Sequence, residues 1–181
     1  MQKVVKKLFF PWNEDEEKKF LEEMSLKGYQ LTRVQLGRYT FEKSEPKRVI
    51  YQFDFKGIDS QDEQEYLQLY EDAGWNLVYK HAGWYYFNRE WTGEEFDLSI
   101  FNNNRSKSIK YKRLLLFLLI TGFPLYYNTL ILFPALRMSN YQMPGYYSVF
   151  IIFMAILTVL HIFVVLRIAR LYWKLVRSIK E

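Results

Sequence analysis

The chain of 181 residues contains no cysteine, which excludes disulfides, thiol chemistry and cysteine-based zinc sites. Histidine is nearly absent as well, since His81 and His161 are the two in the sequence. A metal site before residue 104 would have to be built from carboxylates, so we expect neither a metal nor another cofactor. No nucleophile elbow, glycine-rich phosphate loop or metal-binding helix motif is present, so no catalytic residue is predicted.

Acidic residues are scarce in the second part of the chain. Residues 105–181 hold 11 Lys and Arg but one acid, Glu181, whereas residues 1–104 hold 14 Lys and Arg against 19 Asp and Glu. A nucleic-acid-binding domain carries positive charge on its folded part, and here that part is acidic. Direct binding to nucleic acid is therefore not expected. The N-terminal sequence also lacks the apolar run of a signal peptide.

Charge is missing altogether from residues 114–136, LLLFLLITGFPLYYNTLILFPAL. A helix of this length runs roughly 34 Å at about 1.5 Å per residue, enough to cross a hydrocarbon core of about 30 Å. Residues 137–145 form a short loop, and residues 146–166 are a second apolar run. We therefore predict two transmembrane helices in a hairpin, with the lipid bilayer as a partner.

Basic residues flank this predicted hairpin on both sides. The juxtamembrane linker, residues 101–113, contains five: Arg105, Lys107, Lys110, Lys112 and Arg113. Residues 167–181, predicted as a basic amphipathic helix on the inner surface, contain another five, and the loop contains Arg137 alone. The positive-inside rule then predicts a multi-pass protein of the cell membrane with both termini in the cytoplasm.

An internal repeat organises residues 1–100, the predicted cytoplasmic domain. With a constant offset of 46 residues, 20–44 lie over 66–90 without a gap, and the identical pairs include Leu21/Leu67, Gly28/Gly74, Leu31/Leu77, Gly37/Gly83, Tyr39/Tyr85 and Phe41/Phe87. The repeats, about 4–44 and 50–90, each predict strand–helix–strand–strand. The first strand is expected over Lys3–Phe10, with Asn13 as the N-cap of the helix that follows.

The predicted fold class is therefore α+β: a duplicated βαββ domain of six antiparallel strands and two helices, followed by the transmembrane hairpin. This duplicated unit resembles the effector-binding domains of bacteria, the GyrI-like and SOUL-type domains. In those domains two halves close around a cleft for small, often apolar or cationic molecules. The likeness is one of topology, with no sequence motif behind it.

Longer segments carry a second resemblance. They are VVKKLFFPWNEDEEKKFLEEMSLKGYQL, YTFEKSEPKRVIYQFDF and YLQLYEDAGWNLVYKHAGWYYFNRE, within which YEDAGW and EKSEP are the most specific pieces. Over about residues 3 to 113 the chain resembles the bacterial membrane proteins grouped as domain of unknown function twenty-eight-twelve. Such proteins are often encoded beside PadR-type transcriptional repressors. The resemblance implies a regulatory membrane protein and supplies no catalytic residue.

The strand faces indicate candidate ligand-binding residues. Tyr39, Phe41, Tyr85 and Phe87 share one parity and are expected in the core. The opposite parity carries acids and aromatics, and the candidate ligand-binding residues are Glu42, Asp54, Trp84 and Tyr86. Aromatic rings with a carboxylate suit an apolar cation. The alternative is a solvated sheet face, or one covered by the membrane or a partner.

Two further sets of residues are candidates for contacts with other proteins or between helices. A candidate partner-binding edge consists of Tyr70, Glu71, Asp72 and Trp75, for which the alternative is an ordinary helix C-terminus. Asn128 and His161 are polar residues inside the predicted spans and could join the two helices, or His161 could simply be bonded within the bundle.

These observations favour a membrane-tethered sensor or regulatory adaptor, whose cytoplasmic domain binds a small molecule or a regulator such as a PadR-type repressor. The alternative is an accessory subunit of a membrane transporter complex, with Asn128 and His161 facing another membrane protein. This alternative predicts an oligomer or a larger complex. An enzyme using the cleft is the least favoured function.

Overall fold

The computed structural model describes residues 2–35, 37–57, 62–93, 104–139 and 144–180. The chain divides into two compact units, Met1–Lys110 and Tyr111–Glu181. The first unit contains two antiparallel sheets with helices, and the second is helical. The predicted α+β class is confirmed.

The described part of the first unit contains six strands and two α-helices before its C-terminal helical segment. In chain order they are β1 (Gln2–Lys6), a 3₁₀ turn (Pro11–Asn13), α1 (Glu14–Leu26), β2 (Tyr29–Gln35), β3 (Arg38–Lys43), β4 (Val49–Phe55), α2 (Glu63–Asp72), β5 (Asn76–His81) and β6 (Trp84–Glu90). The order βαββ therefore occurs twice, as the first half (β1 to β3) and the second half (β4 to β6).

Each half forms its own three-stranded antiparallel sheet, with the strand orders β1-β3-β2 and β4-β6-β5. The register slips once between β2 and β3, at Leu31/Arg33, and once between β5 and β6, at Leu77/Tyr79. The two bulges are 46 residues apart, as are the helix-ending glycines Gly28 (φ +76°) and Gly74 (φ +78°). The halves thus agree in local detail as well as in topology.

Helix α1 of the first half packs against strand β4 of the second half. The buried Ser25 shows the contact, because its hydroxyl accepts a hydrogen bond of 3.2 Å from the backbone N–H of Val49. Leu21, Met24, Tyr51 and Phe53 share one hydrophobic cluster as a result. Every residue of β4 is buried, so Asp54 does not lie on the accessible face that was predicted for it.

The N-terminal strand is shorter than predicted. It ends at Lys6 rather than Phe10, although the N–H of Lys7 still donates to the carbonyl of Gly37 at 2.8 Å. Phe9 instead turns inward, with its ring 5.8 Å from that of Phe20. Asn13 makes no side-chain cap to the backbone of α1, and its amide nitrogen donates instead to the carboxylate of Glu16 at 3.0 Å.

Two long helical runs follow. The first consists of α3 (Asn104–Tyr127), a π-helical segment (Asn128–Leu132) and α4 (Phe133–Met138), and the second is α5 (Tyr146–Lys180). Both runs are long and apolar enough to cross a membrane. Part of the predicted linker, from Asn104 onward, is helical, while residues 101–103 lie outside the described residues. Helix α5 continues without a break at residue 167, where a separate surface helix was expected.

Candidate functional site

A cavity of about 130 Å³ lies within the first unit, where the two halves meet. Two residues of the predicted ligand-binding set, Trp84 and Tyr86 of β6, line it. The other lining residues are Phe9, Phe10, Pro11, Glu14, Glu17 and Phe53. We call this site the acid–aromatic pocket. Its aromatic walls come from both halves, and its two carboxylates come from α1.

Glu17 is a buried carboxylate held by two tyrosines. The hydroxyl of Tyr39 donates to its Oε1 at 2.7 Å, and the hydroxyl of Tyr86 donates to the same oxygen at 3.1 Å. Among the described residues none donates to Oε2. Burial raises the pKa of Glu17 above the ordinary value for a glutamate, against the opposing effect of the two hydrogen bonds. Burial and the Glu17 charge also raise the pKa of both tyrosines.

Glu14, one helical turn before, is neutralised by two lysines. Its Oε1 lies 2.7 Å from the Nζ of Lys18, and its Oε2 lies 2.5 Å from the Nζ of Lys110. Burial alone would raise the pKa of Glu14, but the two ammonium groups together hold it below its ordinary value. The pocket therefore pairs one carboxylate bridged by two lysines with another, Glu17, for which the described residues provide no salt bridge.

The aromatic wall contributed by the second half is held in place by ring contacts within that half. The rings of Phe53 and Tyr86 are 4.6 Å apart, and those of Phe55 and Trp84 are 5.3 Å apart. Trp84 and Tyr86 are both partly exposed, so part of each ring remains open toward the pocket. An aromatic wall beside a carboxylate is the arrangement that recognises organic ammonium groups.

The other two residues of the predicted ligand-binding set lie elsewhere. Asp54 is buried among the aromatics of the second half, where Tyr66 and Tyr70 donate to its Oδ2 at 2.8 and 3.2 Å. Glu42 is exposed on β3 and accepts a hydrogen bond from the amide of Gln2 at 3.3 Å. The structure therefore brings Trp84 and Tyr86 together with Glu14 and Glu17 instead.

The four residues of the predicted partner-binding edge do not share one surface. Tyr70 and Trp75 are buried in the hydrophobic cluster of the second half. Glu71 and Asp72 are exposed, and Asp72 accepts a hydrogen bond from Gln68 within α2. What remains on the surface is the end of a helix with two acids.

Polar residues in the second unit hydrogen-bond within the helical hairpin. His161 Nδ1 lies 2.7 Å from the hydroxyl of Tyr126, and the hydroxyls of Thr129 and Thr158 are 2.9 Å apart. The amide of Asn128 donates instead to the carbonyl of Pro124 at 2.7 Å, one turn earlier in its own helical run. The hydrogen-bond partner of His161 is thus Tyr126, two residues before Asn128.

Three charged residues escaped the sequence-based choice: Glu14 and Glu17, which line the pocket, and Lys110, which contacts Glu14. For Glu17 a signal was available, since the repeat offset of 46 places Glu17 over Glu63 and Tyr39 over Tyr85. Both pairs are hydrogen-bonded, Tyr39 to Glu17 and Tyr85 to Glu63. For Lys110 there was none, because its partner lies 96 residues away in sequence. The described residues contain no group of side chains suited to a metal ion.

Comparison with known proteins gives one match. The model of the family described as "Protein of unknown function (DUF2812)" matches residues 13–123, which is more than half of the chain. Neither a curated protein nor a solved structure matches the chain significantly.

Proposed function

Because the chain belongs to DUF2812, a family of proteins of unknown function, we propose its function from geometry: a membrane-tethered sensor whose first unit binds an organic cation in the acid–aromatic pocket. The observation that carries the proposal is Glu17, a buried carboxylate without a salt bridge among the described residues, beside the rings of Phe53, Trp84 and Tyr86.

The size of the pocket restricts the ligand. Drug-sized ligands occupy pockets of roughly 300 to 1,000 Å³. An apolar cavity of about 150 Å³ holds a molecule of the size of benzene. The acid–aromatic pocket, at about 130 Å³, suits one compact group. We therefore propose a quaternary or methylated ammonium group as the part that is recognised, with any remaining part of the ligand outside.

The tether is the pair of helical runs in the second unit. Large apolar side chains along both are exposed, among them Ile120, Phe123, Val149 and Phe163. The core helix of a soluble protein buries such residues, whereas a lipid-facing helix exposes them. This supports insertion of both runs in the cell membrane. The basic flanks support a topology with both termini in the cytoplasm.

The sensor has a regulatory role in this proposal. Its first unit, on the cytoplasmic side, reports the bound cation to a regulator such as a PadR-type repressor. The two halves, with their matching bulges and glycines, are what an internal duplication would leave.

Purification of the intact chain from its cells in mild detergent, followed by mass spectrometry, tests the adaptor role. Recovery of no DNA-binding regulator would contradict it.

Isothermal titration of the intact chain in detergent with choline tests the cation site. We expect choline to bind and its neutral isostere, with carbon in place of nitrogen, to bind at least tenfold more weakly. Affinity should increase as pH rises through the elevated pKa of Glu17, because the ionised carboxylate attracts the cation.

Glu17→Gln provides the matched variant, and Glu63→Gln provides its control. Glu63 holds the equivalent position in the second half but lies outside the pocket lining. Glu17→Gln should weaken choline binding at least tenfold and remove its pH dependence, whereas Glu63→Gln should leave both unchanged. Equal affinity for choline and its neutral isostere would refute the proposal.

The accessory subunit of a transporter complex gains less support. That alternative needs Asn128 and His161 to face helices of another protein, and both already have hydrogen-bond partners in this chain: Pro124 for Asn128, and Tyr126 of the other helical run for His161. A chain that purifies only in oligomers or larger complexes would favour it.

A further inference from the structure

Lys110 differs from the rest of the juxtamembrane basic cluster. Arg105, Lys112 and Arg113 are exposed, and Lys107 is half-buried, as expected for charges near a membrane surface. Lys110 is 5% exposed. A lysine is almost never fully buried unless it is paired, so its position needs an explanation other than contact with lipid headgroups.

The ammonium group of Lys110 is paired with residues of the acid–aromatic pocket. Its Nζ lies 2.5 Å from Oε2 of Glu14 and donates to the carbonyl of Phe53 at 3.2 Å. Glu14 and Phe53 both line the cavity. A cation from the chain itself therefore neutralises one of the two pocket carboxylates.

Charge balance makes Lys110 and a bound cation compete. The pocket carboxylates are Glu14 and Glu17, and the ammonium groups beside Glu14 are those of Lys18 and Lys110. With Lys110 in place both oxygens of Glu14 are paired with lysines, and a further cation meets the repulsion of two nearby ammonium groups. Departure of Lys110 leaves one carboxylate charge for the ligand.

Lys110 is the last residue of the first unit and lies within helix α3, so its displacement would affect this helix. Residues 104–110 belong to the first unit, and α3, which starts there, continues without a break to Tyr127. We propose that Lys110 is a resident cation of the pocket, and that an ammonium ligand displaces it and releases residues 104–110 from the first unit. We call this displacement of Lys110 and release of residues 104–110 the latch. It rests on the proposed cation binding, and it supplies the structural change by which binding is reported.

Choline affinity measures the competition. Lys110→Gln, in the intact chain, should bind choline about tenfold more tightly than the unmodified protein, within the range of about 5- to 150-fold usual for coupled sites. Lys112→Gln is the matched control, since it removes an exposed lysine two residues later, and it should leave the affinity unchanged.

Alkylation of a single cysteine measures the release. The chain is free of cysteine, and Ser108 is 8% exposed, so Ser108→Cys adds one protected thiol to the released segment. We expect a water-soluble maleimide to react with it at least fivefold faster when choline is saturating, and at least fivefold faster without choline when Lys110→Gln is added. Glu14→Gln, which removes the partner of Lys110, should expose the thiol as well and serves if Lys110→Gln fails to fold.

The outcomes separate the latch from the cation site. If choline binds but neither Lys110→Gln nor Glu14→Gln exposes the thiol, the latch is overturned and the proposed cation binding stands. If choline binds neither the unmodified chain nor Lys110→Gln, the cation site and its coupling to Lys110 both fail.

Discussion

At the scale of residues, one interaction occurs in both halves of the first unit: a hydrogen bond from a tyrosine hydroxyl to a glutamate carboxylate. Tyr39 donates to Glu17 at 2.7 Å, and Tyr85 donates to Glu63 at 2.9 Å. The surroundings of the two pairs differ. Glu17 is buried and also bonded by Tyr86, whereas Glu63 is more accessible and paired with Lys80. The same two residue types thus build a pocket in one half and a surface contact in the other.

This difference predicts unequal effects of removing the two hydroxyls. Tyr39→Phe leaves a buried carboxylate with one donor fewer, and hydrogen bonds to charged groups contribute about 1.5–3 kcal/mol. We expect a loss of that size in the free energy of unfolding. Tyr85→Phe should lose clearly less, because Glu63 keeps Lys80 and contact with water. Thermal unfolding of the intact chain in detergent checks both, and equal losses would show that burial of Glu17 does not matter.

At the scale of elements, helices α1 and α2 end in the same backbone conformation, but the atoms around the two ends differ. Gly28 and Gly74 both have positive φ, a conformation that costs other residues about 1–2 kcal/mol. A Cβ on Gly28 would lie 2.8 Å from the carbonyl oxygen of Ser44. A Cβ on Gly74 would meet only the side chain of Arg89, at 3.5 Å, which can move.

The two glycines therefore form a matched pair for mutation. Gly74→Ala should destabilise the protein by about 1–2 kcal/mol through backbone strain alone. Gly28→Ala should cost at least about 1 kcal/mol more, because the backbone of the following loop has to shift as well. Chemical denaturation followed by tryptophan fluorescence measures the difference. A smaller loss for Gly28→Ala than for Gly74→Ala would contradict the packing described at Ser44.

For the whole molecule, the proposed topology makes a prediction that uses the absence of cysteine. Ser139 follows the first helical run, Ser178 lies near the end of α5, and both are exposed. In intact cells a membrane-impermeant maleimide should label Ser139→Cys and leave Ser178→Cys unlabelled. Permeabilised cells should label both, which controls for reactivity. Labelling of Ser178→Cys from outside would reverse the proposed orientation.

Local patterns in the sequence were enough for the elements and their order. Alternating apolar residues, glycines at helix ends and turns, and uncharged runs act over a few residues, so they predict strands, helices and apolar spans directly. The burial of Tyr39, Phe41, Tyr85 and Phe87 follows from the same periodicity and is confirmed. Element ends were less certain, as the early end of β1 and the unbroken α5 show.

The pocket was decided by tertiary structure. Parity along a strand predicts which residues share a face, but it does not predict that both faces of β4 are covered, so that Asp54 is buried under Tyr66 and Tyr70 of α2. Nor does it show that Glu17 meets Tyr86, 69 residues away, or that Lys110 reaches Glu14, 96 residues away. Such pairs are set by how the two halves pack, which depends on the shapes of both surfaces together. Composition and periodicity alone thus determined an acidic α+β part followed by two apolar helices, and the packing of the two halves determined which carboxylates line the acid–aromatic pocket.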